Sequence, residues 1–134
     1  MEVDMEKEIK ILLVDDEADF LQPMAFWFQS KGYSTVTATS GEEAIQKVKE
    51  ENPDIIFLDL NIPGMDGIQT LKKIREFNKN LPAIIVSAYI DPIKMKEAEP
   101  YHISGVFYKG RTLEEGLALL ESVLRRHKKL QKEE

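Results

Sequence analysis

The sequence predicts an α/β domain built on a parallel sheet, and three observations carry that prediction. The runs Ile9 to Val14, Ile55 to Leu58 and Ala83 to Val86 are almost continuously apolar, as strands buried on both faces must be. They alternate with longer segments of helical period, and five such β-α units can be counted along the chain. The polar residues that stand out, Asp15, Asp16, Asp59, Ser87 and Lys109, fall at the carboxyl ends of these runs, where an open parallel sheet gathers its functional groups.

Each element can be justified in order. After the first strand, a helix from about Ala18 to Ser30 is expected, with Phe20, Met24 and Trp27 on one side and Trp27 read as core. Pro23 lies too deep for the first turn and removes a backbone bond, so a kink is expected there. Tyr33 to Ala38 is half polar, as an edge strand would be. Ala44, Ile45 and Val48 form the stripe of a second helix, and Ile68, Leu71 and Ile74 that of a third. Pro63-Gly64 suits a type II turn, and Asp66 before Gly67 can cap the third helix, so the loop after Asp59 is tight. Val106 to Tyr108 is the fifth strand, and Leu113, Leu117, Leu120 and Leu124 form the last stripe. Continued at the same spacing, that stripe lands on His127 and Gln131, which argues against a coiled-coil extension. Arg125, Arg126, His127, Lys128 and Lys129 instead suit a helix end, where cations oppose the macrodipole.

Composition bounds the function. A chain of 134 residues, 43% hydrophobic and 31% charged, has the size and balance of one globular domain. We expect a tail over residues 1–8, the domain over 9–125, and a helix end or linker over 126–134. With no cysteine, disulfides and thiolate metal sites are excluded, which fits a reducing compartment. The acidic start, MEVDMEKE, resembles neither a signal peptide nor an anchor, so a cytoplasmic protein without membrane association is expected. A net charge of −6 opposes direct nucleic-acid binding.

Taken singly, each marked residue has an ordinary reading. Asp15, Asp16 and Glu17 suit the first turn of a helix, and Ser87 and Lys109 suit strand ends. Asp59 is harder to dismiss, because a charge directly after Ile55-Ile56-Phe57-Leu58 sits where burial begins and needs a partner. Together the residues describe a chemistry. Crowded carboxylates raise one another's pKa unless a divalent cation or a lysine offsets them, and Mg²⁺ is the natural hard, oxygen-liganded ion. An aspartate in such a setting can accept a phosphoryl group, while a lysine and a hydroxyl meet the phosphoryl oxygens. His102 and His127 have no metal-ligand spacing and are assigned no chemistry.

VDDE at 14–17, DLNIPGMDG at 59–67, SA at 87–88 and YK at 108–109 resemble the response-regulator receiver domain of two-component signalling over residues 9 to about 125. The resemblance implies a doubly wound, flavodoxin-like five-stranded parallel sheet of order 2-1-3-4-5 with five helices. It makes Asp59 the phosphoacceptor and Asp15, Asp16, Asp59 and the Asn61 backbone carbonyl the Mg²⁺ ligands. Ser87 and Lys109 become the phosphoryl-binding switch residues, and Asp59 and Lys109 the pair that carries the chemistry. It also implies a sensor histidine kinase as phosphodonor and slow self-catalysed loss of the phosphoryl group, a signalling module rather than an enzyme acting on a separate substrate. The downstream partner or output domain is left open, and a homodimer would use the fourth helix, fifth strand and fifth helix.

Three positions depart from the family pattern: Gly110 follows Lys109 where proline is usual, Val106 replaces the usual aromatic three residues before the lysine, and His102-Ile103 replace a Gly-Ala pair. Phosphorylation should therefore act through Ser87 and Lys109 without the usual aromatic rotation. An aspartyl-nucleophile phosphohydrolase would want an aspartate where Asn61 stands, and a flavodoxin-type phosphate cradle would be repelled by Asp15-Asp16-Glu17. A same-fold interaction module indifferent to phosphate is the remaining rival.

Overall fold

A computed structural model describes residues 8–89 and 91–129. Five parallel strands, β1 (Lys10–Val14), β2 (Ser34–Ala38), β3 (Ile55–Asp59), β4 (Ala83–Ser87) and β5 (Gly105–Tyr108), pair in the order β2-β1-β3-β4-β5. The helices are α1 (Ala18–Ser30), α2 (Gly41–Glu51), α3 (Gly67–Arg75), α4 (Pro92–Ala98) and α5 (Leu113–Arg126), with a short 3-10 helix at Glu99–Tyr101. The expected sheet order and helix number are those observed. The tail over residues 1–7 and the end over 130–134, Gln131 included, lie outside the described residues.

Alternation along the strands explains their apolar runs. Leu12, Val14, Ile56, Leu58, Ala83 and Ile85 point to one face, where they pack against Ala44 and Val48 of α2, Ile68, Leu71 and Ile74 of α3, and Ala98 of α4. Ile11, Leu13, Ile55, Phe57, Ile84 and Val86 point to the other, against α1 and α5. Both faces are covered, so no interior strand has a polar side to show.

The helix stripes sit partly where expected. All of Ile68, Leu71 and Ile74 are buried in α3, but α1 buries Leu21, Met24, Ala25 and Phe28, leaving Phe20 and Trp27 at the rim. Trp27 is thus an edge residue, with Lys31 Nζ 4.5 Å from its ring centroid. Phe28 meets Phe57 with ring centroids 5.4 Å apart. In α5 the buried set is Gly116, Leu120, Val123 and Leu124, and Leu113 and Leu117 are only half-buried. Gly116 leaves room for the Phe107 ring, since a Cβ there would lie 3.3 Å from Phe107 Cε1. Pro23 is exposed and α1 runs through it unbroken.

Candidate functional site

Strand register assembles the site. Val14 pairs with Leu58, so Asp15 and Asp59, each the next residue, come out side by side. Asp59 pairs with Val86, and Ser87 pairs with Tyr108, which brings Ser87 and Lys109 to the same end of the sheet. Backbone bonds beyond the strands hold the exit directions, with Leu60 N–H donating to Val86 O at 3.2 Å and Lys109 N–H to Ser87 O at 3.0 Å.

The β3–α3 loop is fixed locally. Asp59 Oδ1 accepts from Asn61 N–H at 3.0 Å, and Gly64 takes φ +77°, the left-handed value that a type II turn after Pro63 requires. Asp66 and Gln69 form a reciprocal capping box on α3. Gly67 packs directly on the strand end: a Cβ there would clash with Asp59 O and stand 2.6 Å from Leu60 Cα.

At the centre, Asp15 and Asp59 are buried and Asp16 is exposed, and one carboxylate oxygen from each lies within 4.8 Å of the others. Lys109 Nζ reaches into this group, 2.9 Å from Asp15 Oδ2, 3.2 Å from Asp59 Oδ2 and 2.6 Å from Glu17 Oε1. Its ammonium also lies 4.9 Å from the Phe20 ring centroid. Burial pushes the Asp15 carboxyl above the usual carboxylate range, with Asp59 adding to the push, while the Glu17 N–H and Lys109 oppose it. Burial works against the charge on Lys109, but the bond to Glu17 and the close negative charges of Asp15 and Asp59 outweigh it and hold the ammonium above the usual lysine range. The same contact holds Glu17 below the usual range.

The carboxylates fit a hard divalent cation. Asp15 Oδ2 is buried and receives no hydrogen bond of adequate geometry, so Lys109 answers its charge without saturating it. That unspent acceptor, beside Asp16 and Asp59, is the donor set Mg²⁺ prefers.

Ser87 is near but turned aside. Its hydroxyl donates to Tyr89 O at 2.6 Å and accepts from Tyr89 N–H and from Asn61 Nδ2, at 3.2 and 3.3 Å. None of its bonds goes to Asp59. Two participants were not singled out from sequence. Glu17 reads as a helix-opening acid, and it is the N-cap of α1, but its side chain makes no cap and is drawn to Lys109 instead. Phe20 reads as an ordinary stripe residue. Both lie about ninety positions from Lys109 in the chain, and no local pattern reports such a contact.

The model of the response regulator receiver domain family matches residues 11–121. The chain belongs to this family.

Among relatives of this receiver domain, sporulation initiation phosphotransferase F of Bacillus subtilis is 41% identical over 80 residues, 60% of the chain and 64% of that protein. The transcriptional regulatory protein ResD of the same organism is 42% identical over 86 residues, 64% of the chain and 35% of that protein. The matches thus span under two thirds of these relatives' own lengths. Among solved structures, the CheX-CheY-BeF3-Mg+2 complex of Borrelia burgdorferi aligns with TM-score 0.80 and 33% identity, covering 87% of this chain and 89% of that one. A CheY-like receiver domain protein of Methanospirillum hungatei aligns with TM-score 0.88 over 92% of this chain and 98% of that one, at 20% identity, which speaks for the fold.

The three departures take definite forms in this receiver domain. Among the described residues every peptide bond is trans, Lys109-Gly110 included, and Arg111 N–H closes a turn on Tyr108 O at 3.0 Å. Gly110 has no positive φ and open space around it, so that turn does not need glycine. Val106 is half-buried, Phe107 is buried and Tyr108 faces out, 42% exposed. His102 adopts φ +60°, the left-handed conformation for which glycine is the easy choice.

Proposed function

We propose that this receiver domain is a phosphorylation switch in which Asp59 accepts a phosphoryl group from a sensor histidine kinase. The observation that carries the reading is the lysine shared among Asp15, Asp59 and Glu17, beside a buried Asp15 oxygen that its partners leave unsaturated. The switch unit is residues 9–125.

Asp15, Asp16 and Asp59, with the backbone carbonyl of Asn61, would hold Mg²⁺, which when bound supplies positive charge against the phosphoryl oxygens. A carboxylate oxygen of Asp59 attacks the phosphorus of the donor's phosphohistidine. The new O–P bond forms as the N–P bond breaks, and its electron pair leaves with the imidazole nitrogen. Lys109 stays protonated throughout and shifts from its carboxylates toward a phosphoryl oxygen. Ser87 breaks its bond to Tyr89 O and donates to another, so the β4–α4 loop feels the event through Tyr89. Water then attacks the phosphorus, the Asp59 O–P bond breaks with its electron pair returning to the carboxylate, and inorganic phosphate leaves.

The surface offered to a downstream protein, or to a second copy, is the face of α4, β5 and α5. There Ile93 is 70% and Tyr108 42% exposed, and Tyr89 in the adjoining loop is 74% exposed. Among the described residues no helix is long and apolar enough to cross a membrane. We place the protein in the cytoplasm, where its kinase presents phosphohistidine.

The test is NMR titration with beryllofluoride and Mg²⁺ together. Large shifts at Asp59, Ser87 and Lys109 that need both components support the switch. Unchanged spectra, in conditions where an ordinary receiver saturates, would leave a phosphate-indifferent interaction module.

A further inference from the structure

The end of the sheet remote from Asp59 carries a second concentration of charge, of the opposite sign. Two adjoining hollows of about 680 and 340 Å³ share Arg75, Lys79, Asn80 and His102 as walls. They lie between the end of α3, the turn at Pro100–His102 and the end of α5. Lys72 lines the larger, His127 and Lys129 the smaller, and Glu76 is the single carboxylate of either wall.

The charges of Lys72, Arg75 and Lys79 meet no carboxylate among the described residues. Arg75 is 7% exposed, and its guanidinium meets only carbonyls, donating to Tyr101 O, Asn78 O and His102 O at 2.8, 3.1 and 3.1 Å. Those bonds use three of the five N–H groups of an arginine, and no carboxylate among the described residues pairs with it. Lys72 Nζ and the His102 ring make no hydrogen bond or ion pair among the described residues. Lys79 Nζ donates to Arg75 O at 3.0 Å and keeps two further protons.

Cations at helix ends oppose the macrodipole, and that accounts for outward residues such as Lys73 and Lys96. It does not account for His102. At φ +60° a side chain is disfavoured where glycine would rest freely, yet here an imidazole occupies the position and its residue lines both hollows. The left-handed backbone itself closes the 3-10 helix, with His102 N–H donating to Glu99 O at 3.2 Å, and Asn52 and Lys128 adopt a similar φ elsewhere; what His102 adds to the cleft is its place on both walls.

We propose that this cleft binds a phosphate-bearing small anion, held by Lys72, Arg75, Lys79 and His102. The volume is that of a small-molecule site, and Tyr101 and Pro100 give it one less polar wall on which a base or other flat group could rest. The site is separate from Asp59 and does not depend on phosphorylation there.

The test is ¹⁵N NMR titration of the whole chain in Mg²⁺-free buffer at physiological ionic strength, with inorganic pyrophosphate in one arm and adenosine diphosphate in the other. Saturable shifts confined to the ends of α3 and α5 and to residues 99–103 are expected in at least one arm. Tighter binding of the diphosphate nucleotide would identify a nucleotide as the source, and equal or weaker binding a free polyphosphate. Replacing both Lys72→Gln and Lys79→Gln should weaken binding by about tenfold or more. His102→Gly should weaken it without lowering the thermal midpoint, which separates ligand contact from folding. The proposal is overturned if neither arm saturates by about 10 mM, or if the shifts spread over all surface lysines and survive the double substitution.

Discussion

Lys109 is the residue on which the acidic site turns, because one ammonium compensates carboxylates that would otherwise face one another across the sheet end. Glu17 and Asp15 lie nearer to it than Asp59 does, at 2.6 and 2.9 Å against 3.2 Å. Lys109→Gln removes the compensating charge and leaves the buried acids in mutual repulsion, which should cost about 1–3 kcal/mol of stability. A divalent ion at the proposed site would then supply the missing positive charge. Millimolar Mg²⁺ should therefore raise the thermal midpoint of the variant by more than that of the wild type, and equal gains would show that Lys109 and the metal do not share a site. Residue identity at this level was largely legible in the sequence: Asp15, Asp16, Asp59, Ser87 and Lys109 all stand at strand ends. Glu17 and Phe20 were not, because their connection to Lys109 exists only after β1 and β5 share a sheet.

At the scale of elements, close approach and helix ends decide what the sequence tolerates. The β3–α3 loop passes so near its own strand that Gly67 has no room for a methyl group. Gly67→Ala should destabilise the domain by about 1–3 kcal/mol by urea denaturation, since the obstacle is backbone and cannot rotate away. An unchanged midpoint would mean that the loop is slack. At the end of α5, His127 Nε2 lies 3.0 Å from Ser104 Oγ, and burial, with Arg126, Lys129 and Arg75 adding to it, pushes the imidazole below its ordinary pKa of 6.5. The unfolded chain then binds the proton more readily than the folded one. The stability this group contributes is present above pH 6.5 and is lost as the pH falls through the lower folded value. From pH 7 to pH 5 the wild type should lose more stability than His127→Gln, and parallel losses would contradict the assignment. The other titrating groups are common to both proteins and cancel in the difference.

Elements also differ in how plainly their sequence speaks. Ile55 to Leu58 and Ala83 to Val86 are unmistakable because both faces of an interior strand are covered. The first and last helices are less plain. Leu113 and Leu117 catch the eye, but the turn of α5 against the sheet is set by Gly116, which admits Phe107, and no hydropathy pattern marks a glycine as a contact. In α1 the large aromatics Phe20 and Trp27 suggest the wrong stripe, because rings can lie along a rim while Leu21, Ala25 and Phe28 fill the interior.

For the whole molecule, the sheet separates two charged ends, an acidic one after β1 and β3 and a basic one beneath α3 and α5. On the proposed switch, a signal that begins at Asp59 would travel sideways through Ser87 and Lys109 to β5. There Val106 supplies no rotating ring, Phe107 is buried in the core, and Tyr108 lies at the surface with the Arg111 guanidinium 5.7 Å from its ring centroid. With beryllofluoride and Mg²⁺, the ring resonances of Tyr108 should shift while those of Phe107 stay in place; a reoriented Phe107 would show that the core itself rearranges. The sheet order and the meeting of Asp15 with Asp59 could be read from family resemblance, but the residue-by-residue register that produces it could not, because pairing between strands leaves no mark on either strand alone.

The most direct measurement is the intact mass of the chain after incubation with a small-molecule phosphodonor, with and without Mg²⁺, alongside Asp59→Asn. We predict a gain of one phosphoryl group that requires Mg²⁺ and is absent from the variant. No gain in conditions that label an ordinary receiver, or an equal gain in Asp59→Asn, would contradict the assignment of Asp59 as the acceptor.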